Sequence, residues 1–263
     1  MAKDKGSAVD LSQQIIWKYR KGQKNGGFPW GPHKLPLAFD LEGVSVVVEK
    51  RDDGFLYRRE GAGESVEKML FTDKNSLLFN PIEPLHKPSA ISNHLLIDFE
   101  KAIVIEPRSN RDLLVTFPLE IACTVNHRQD ERHILDIIAP GPAKFTLYGQ
   151  IKDGLVCKYC KSAVYAVMPD VSPFEQGIMK VEIQNPGSRW AEVNKAVFSA
   201  FGMKIYYSPH LVSLNATMKI SNEFTAETNF IDKPLKTGMS MAFEQFGSKL
   251  LSQMGRTVME EGY

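Results

Sequence analysis

Short apolar runs cut by turn signals every eight to twelve residues fill the chain from Leu37 to Ile231. Between Asn93 and Gly149 they stand at Leu95–Phe99, Ala102–Ile105, Leu113–Phe117, Ile121–Val125, Ile134–Ile138 and Lys144–Tyr148. Further runs follow at Ile178–Gln184, Glu192–Phe198, Met203–Tyr207, Val212–Ile220 and Phe224–Phe230. Strands spaced this way, with no helical period between them, predict an all-β protein of the sandwich or barrel type. In one run Met179, Val181 and Ile183 alternate with Lys180, Glu182 and Gln184, the pattern of a strand buried on one face. Val44–Lys50 and Phe55–Arg59 flank Arg51-Asp52-Asp53-Gly54, a hairpin signal because glycine reaches conformations that a tight turn demands. Pro81, Pro84 and Pro88 deny backbone donors to Asn80–Ser92, which therefore reads as a loop or edge element.

The two ends of the chain break this rhythm. Residues 1–27 read as a lead-in: Leu11, Ile15, Ile16 and Tyr19 have loose helical spacing before a basic stretch ending in Gly26-Gly27. Met239, Phe243, Phe246, Leu250, Met254 and Val258 recur at steps of three and four, which predicts an amphipathic helix over residues 236–260. Such a helix docks on its own chain, or serves a protein partner or a second copy through Met239 to Val258. An interfacial membrane helix fits less well, because Glu244, Glu260 and Glu261 offset Lys249 and Arg256. Asp153-Gly154 and the irregular stretch Met168–Gly177 mark a joint. The expected organisation is a lead-in (1–27), two β-sandwich-like halves (28–150 and 151–235) and the C-terminal amphipathic α-helix.

Composition narrows the partners. Among 263 residues, 32 lysines and arginines face 31 aspartates and glutamates, so no global field draws in nucleic acid or an anionic membrane. No stretch approaches the roughly 18 uninterrupted apolar residues of a membrane span. The polar start shows no signal peptide, and three cysteines do not make a disulfide framework. The expected location is the cytoplasm.

Candidate chemistry is thin. Cys157-Lys158-Tyr159-Cys160 is a C-x-x-C, with Cys123 and His127 one or two strands earlier. Together they could supply the four ligands of a structural zinc. Against this, the segment reads as a strand, whose alternation puts Cys157 and Cys160 on opposite faces, so ordinary buried cysteines are expected. No helical period follows to activate a redox thiol. His127, Asp130, Glu131 and His133 crowd one stretch that otherwise reads as a solvated hairpin loop. Asp98, Glu100, Glu106 and Glu120 could meet across a sheet as the carboxylates of a glycoside hydrolase. Nucleophile elbows, phosphate loops and dinucleotide fingerprints are absent from the sequence. The sequon Asn215-Ala216-Thr217 is irrelevant in a cytoplasmic chain. Trp190, Phe198, Phe201, Tyr206 and Tyr207 form one aromatic cluster, Phe28, Trp30 and Phe39 another. On strands these read as core, and exposed they would stack sugars or bases.

Several phrases carry a resemblance. Phe117-Pro-Leu-Glu-Ile-Ala122, Leu147-Tyr-Gly-Gln-Ile-Lys-Asp-Gly-Leu-Val-Cys-Lys-Tyr159 and Val181-Glu-Ile-Gln-Asn-Pro186 stand in order. Lys195-Ala-Val-Phe198 and Met203-Lys-Ile-Tyr-Tyr207 follow them. Together they resemble an archaeal family of uncharacterised proteins, the domain of unknown function 432, from about Pro36 to Phe230. The resemblance implies an all-β protein and transfers no site residue. The expected function is a non-enzymatic binding or assembly module without cofactor. The alternative is a carbohydrate-active or metal-assisted hydrolase using Asp98, Glu100, Glu120, His127 and His133.

Overall fold

The computed structural model describes residues 16–19, 30–41, 43–88, 91–128, 131–243 and 256–263, excepting the side chains of 16–19, 126–128 and 131–132. Strands are numbered in chain order. A first sheet runs β1 (Ile16–Tyr19), β3 (Leu37–Leu41), β4 (Val44–Arg51), β5 (Gly54–Glu60), β6 (Val66–Leu70). A second runs β11 (Glu131–Ile138), β10 (Glu120–Arg128), β7 (Ser76–Ile82), β2 (Gly31–Lys34). The third is β12 (Phe145–Tyr148), β13 (Leu155–Ser162), β8 (His94–Ile105), β15 (Ala191–Ser199). The fourth is β19 (Ser240–Met241), β16 (Tyr206–Ser208), β17 (Leu211–Ile220), β14 (Gln176–Asn185), β9 (Ser109–Pro118), with β18 (Ala226–Ile231) and β20 (Thr257–Met259) branching from β17. The protein is all-β. Among the described residues one 3-10 turn, Ala200–Gly202, is the helical exception.

Each pair of sheets encloses one core. Phe39, Val46, Val48 and Tyr57 of the first sheet bury against Phe79, Ile121, Cys123 and Leu135 of the second. Leu95, Ile97, Val193 and Phe198 of the third bury against Val115, Met179, Val181 and Leu214 of the fourth. Burial of these side chains, at about 25 cal/mol per Å² of apolar surface, is what drives the sheets together. The expected alternation of β14 holds: Met179, Val181 and Ile183 are fully buried while Lys180, Glu182 and Gln184 are half-buried. The cores do not follow chain order. β8 and β9 lie in the second core, whereas Phe174, beyond β13, returns to the first. Trp30 packs against both. Asp153-Gly154 belongs to the turn joining β12 to β13, closed by Gly154 N–H donating to the Gln150 carbonyl at 2.7 Å.

Local turn chemistry places the hairpins as expected. β4 and β5 close on the pair Arg51–Gly54. Gly54 is required for a second reason: a Cβ there would collide with the Leu70 carbonyl of β6. Asn80 and Pro81, read as loop or edge, fall inside β7. The proline is tolerated because described pairing with β2 stops at Phe79, while β10 continues alongside to Ile82.

Three expectations need correction. The helical spacing in the lead-in gives way to a strand, since Ile16–Tyr19 pairs in parallel with β3; residues 1–15 and 20–29 lie outside the described residues. The amphipathic helix over 236–260 is overturned at both described ends, where Ser240–Met241 and Thr257–Met259 are strands. Its central members Phe246, Leu250 and Met254 lie outside the described residues. In β20 the period is two: Thr257 and Met259 are buried and Val258 is exposed. The strand wins because it satisfies the edge of β18, pairing Ala226–Met259 and Thr228–Thr257. It also buries Met259 completely, with its sulfur 3.4 Å from the Val197 N–H. The third concerns Trp190, read as core and in fact exposed. No described helix is long and apolar enough to cross a membrane.

Candidate functional site

Among the described residues, those that chemistry singled out do not come together. In register with β8, Cys157 aligns with His94 and Cys160 with Ile97, so they occupy opposite faces of β13. Cys123 lies in the other core. Burial pushes the thiols of Cys157 and Cys160 up to about 12, and raises that of Cys123 well above its ordinary value. Held as neutral thiols, they are poor nucleophiles. Among the described residues no three His, Cys, Asp or Glu side chains gather as a metal site would require. His133 is exposed on β11; the side chain of His127, on β10, lies outside the described residues, as does Asp130.

The carboxylates are divided by a sheet. Asp98 accepts a hydrogen bond from Tyr159 at 2.8 Å on the outer face of the third sheet. There it lines a polar hollow of about 420 Å³ with Lys195 and Glu261. Glu120 is fully buried on the other side, reached by Lys158, which aligns with the core residue Leu95. Glu100 is exposed, and Glu106 pairs with Arg111 at 3.2 Å. Acid and base must reach the same substrate atoms; Asp98 and Glu120 face apart.

Glu120 instead belongs to a string of charges joining the two pairs of sheets. It accepts from Lys158 Nζ (2.7 Å) and the backbone N–H groups of His86 (2.8 Å) and Lys87 (3.2 Å). Lys87 Nζ bonds Glu64, which bonds the buried Arg59, which bonds Asp136. Desolvation raises the Glu120 carboxyl above its usual range despite these partners. Burial, helped by the Lys158 charge, lowers His86 from 6.5 to about 4, although Glu83 stands 3.9 Å from its Nε2. A histidine held neutral by the fold takes up its proton more readily when unfolded. Stability from this group is therefore complete above pH 6.5 and lost as pH falls towards 4. We expect His86→Gln to flatten that part of the stability profile, by about 3 kcal/mol at most. Urea unfolding of both proteins between pH 7 and 4 measures it; the difference cancels the opposing slope from Glu120. Identical slopes would refute the assignment.

The cleft with binding character lies at one end of the fourth sheet. β14 and β17 are parallel neighbours, in register to Gln184–Lys219, so the loops that follow them, 186–190 and 221–225, emerge side by side. They enclose an open cleft of about 690 Å³ with Tyr263 on one wall. Trp190 and Phe224 stand there 66% and 65% exposed, an unusual state for two large aromatics on one rim.

Both loops are tied down. Asn185, nearly buried, donates from Nδ2 to the carbonyls of Ile105, Glu106 and Arg189 and accepts the Gly187 N–H at 3.1 Å. Asn222 accepts the N–H groups of Phe224 and Thr225, both at 2.9 Å, an Asx-type turn. The Tyr263 hydroxyl donates to the Asn222 carbonyl (2.9 Å) and the Gly262 N–H to the Phe224 carbonyl (3.0 Å). Arg189 and Glu223 bridge the loops as an ion pair. Among the other cluster members, Phe198 and Tyr206 are buried. The potential sequon is closed to modification, since Asn215 is 8% exposed and donates to the Lys233 carbonyl.

Of this cleft the sequence offered Trp190 and missed Phe224, read as the start of a strand, and Arg189, Glu223 and Tyr263. A usable signal was present: Asn185-Pro-Gly-Ser-Arg-Trp190 places a tryptophan in turn chemistry rather than in an alternating run.

A family model described as "Protein of unknown function (DUF432)" matches residues 29–260. No curated protein and no solved structure matches the chain.

Proposed function

Because the chain belongs to the DUF432 family, described only as proteins of unknown function, we propose its role from the molecule itself: a non-enzymatic binding module of paired β-sandwich build, whose ligand contacts are made in the loop cleft. The observation that carries this reading is the exposure of Trp190 and Phe224 on loops already fixed by hydrogen bonds. Exposed aromatic surface costs solubility, and fixed loops pay no ordering entropy when a ligand arrives. The reading is further supported by the commitment of Glu120 and Asp98 to Lys158 and Tyr159, and by thiols held near 12.

A fragment screen by ¹H–¹⁵N NMR tests it, because three tryptophans give three indole signals and one reports Trp190. Small polar-aromatic fragments are expected to shift the Trp190 indole and the amides of residues 187–190 and 221–225. The double variant Trp190→Ala/Phe224→Ala is expected to lose these shifts at an unchanged Tm. Hits scattered over the surface, or gathered elsewhere, would remove the cleft from consideration.

A further inference from the structure

The lining of the cleft narrows what it accepts. Resting on the binding reading above, we propose that the cleft selects a neutral polyhydroxylated ring, that is, a carbohydrate, over anionic ligands including nucleic acid. Three properties of the site lead there. The first is shape and surface: Trp190 and Phe224 are two exposed aromatic side chains lining an open cleft rather than a closed pocket. A pyranose presents one face of C–H groups to such a platform and keeps its hydroxyls at the edge, and an open cleft lets a chain of rings run past it.

The second is charge. Among the described residues Arg189 is the one cation lining the cleft, against Glu192 and Glu223, which gives these side chains a formal net charge of −1. Arg189 is already engaged by Glu223. Nucleotides and other phosphate ligands need uncommitted cations or N-terminal helix amides, and a negative cleft repels them. Stacking on the aromatics alone would not discriminate a base from a sugar; the sign of the field does.

The third is hydrogen bonding. Ser188, Glu192 and Ser221 line the same cleft beside Trp190, whose side chain carries one N–H donor. A carboxylate accepts from two adjacent hydroxyls, and hydroxyl side chains donate and accept, which matches a vicinal diol. Because Asn185 and Asn222 hold the loops, these groups need not be reorganised on binding.

Titration of maltohexaose, cellohexaose and chitohexaose into the whole protein, with oligothymidylate as the anionic comparison, decides the matter. The readouts are the Trp190 indole signal, tryptophan emission and the backbone amides of the loops 187–190 and 221–225, the last being the readout for any variant that lacks Trp190. At least one oligosaccharide is expected to give a saturable change below about 10 mM, the weak range usual for small open sites. Trp190→Ala should weaken it by about tenfold or more, and Glu192→Gln by a smaller factor, both at wild-type Tm. If no sugar moves the Trp190 signal while fragments still bind in the cleft, the carbohydrate assignment fails and the binding module stands. Tighter binding of oligothymidylate than of any sugar would also overturn it. Silence of the cleft towards both fragments and sugars would remove both readings.

Discussion

Replacing Glu120 by alanine is expected to cost about 3–5 kcal/mol of stability. The carboxylate is fully buried, and its removal strands three donors: the Lys158 ammonium, itself nearly buried, and the backbone N–H groups of His86 and Lys87. Lys158 keeps a second contact, to the Lys87 carbonyl at 3.2 Å, which accepts a hydrogen bond but supplies no countercharge. The loss therefore comes chiefly from an ammonium left uncompensated in a buried site, not from the worth of the pair itself. That distinction is testable. Lys158→Met should be costly in the wild-type background, because it leaves the carboxylate alone. Joined with Glu120→Gln it should cost far less than the sum of the two single changes, since a buried pair exchanged for neutral groups is often nearly neutral. A double-mutant cycle from urea unfolding gives the coupling energy. Additive losses would mean that the two groups do not sense each other and that their charges do not help to hold the join between the sheet pairs.

What the sequence disclosed, and what it hid, divides along the range of the interaction. Alternation in β14 and the β4–β5 hairpin are decided within a few residues, and the folded chain follows them. Pairing is a different matter. β8 sits between β13, parallel to it, and β15, antiparallel to it, and both partners lie far along the chain. Periodicity says which face of a strand is apolar, not which neighbour it finds. The terminal stripe failed for the same reason. Met254 and Val258 share a helical face as a local pattern, yet the open edge of β18 offered Thr257–Met259 backbone partners that no local pattern records. The cleft shows both effects. Asn185-Pro186-Gly187 announces its turn, but only the parallel pairing of β14 with β17 brings Trp190 beside Phe224. Glu120, offered as a catalytic carboxylate, could be recognised as half of an ion pair only once β10 and β13 were seen to meet.

Asp136→Ala is expected to destabilise by about 3–5 kcal/mol, for a geometrical reason visible in Arg59. The guanidinium is 0% exposed, and each of its five N–H donors has an acceptor. Nε reaches Asp136 Oδ2 at 2.6 Å, and Nη2 reaches Asp136 Oδ1 at 3.4 Å and Glu64 Oε1 at 2.8 Å. Nη1 reaches the carbonyls of Gly61 at 2.8 Å and Glu64 at 3.2 Å. Asp136 Oδ2 also accepts the buried Tyr57 hydroxyl at 2.7 Å, so its loss leaves the Arg59 charge with the half-exposed Glu64 alone and the hydroxyl without its acceptor. Arg59 has two carboxylate partners, and burial decides between them. Glu64 is 44% exposed and Asp136 3%. Water replaces the first at little cost, so Glu64→Ala should lose about 1 kcal/mol or less. Asp136→Asn, which keeps an acceptor but not the charge, should fall between the two. Tyr57→Phe, which removes one hydroxyl and leaves the ion pair, should cost about 1 kcal/mol. Denaturant unfolding of the four variants ranks them directly. An Asp136→Ala loss no larger than that of Glu64→Ala would show that desolvation does not set the order, and that the backbone carbonyls of Gly61 and Glu64 suffice to hold the arginine.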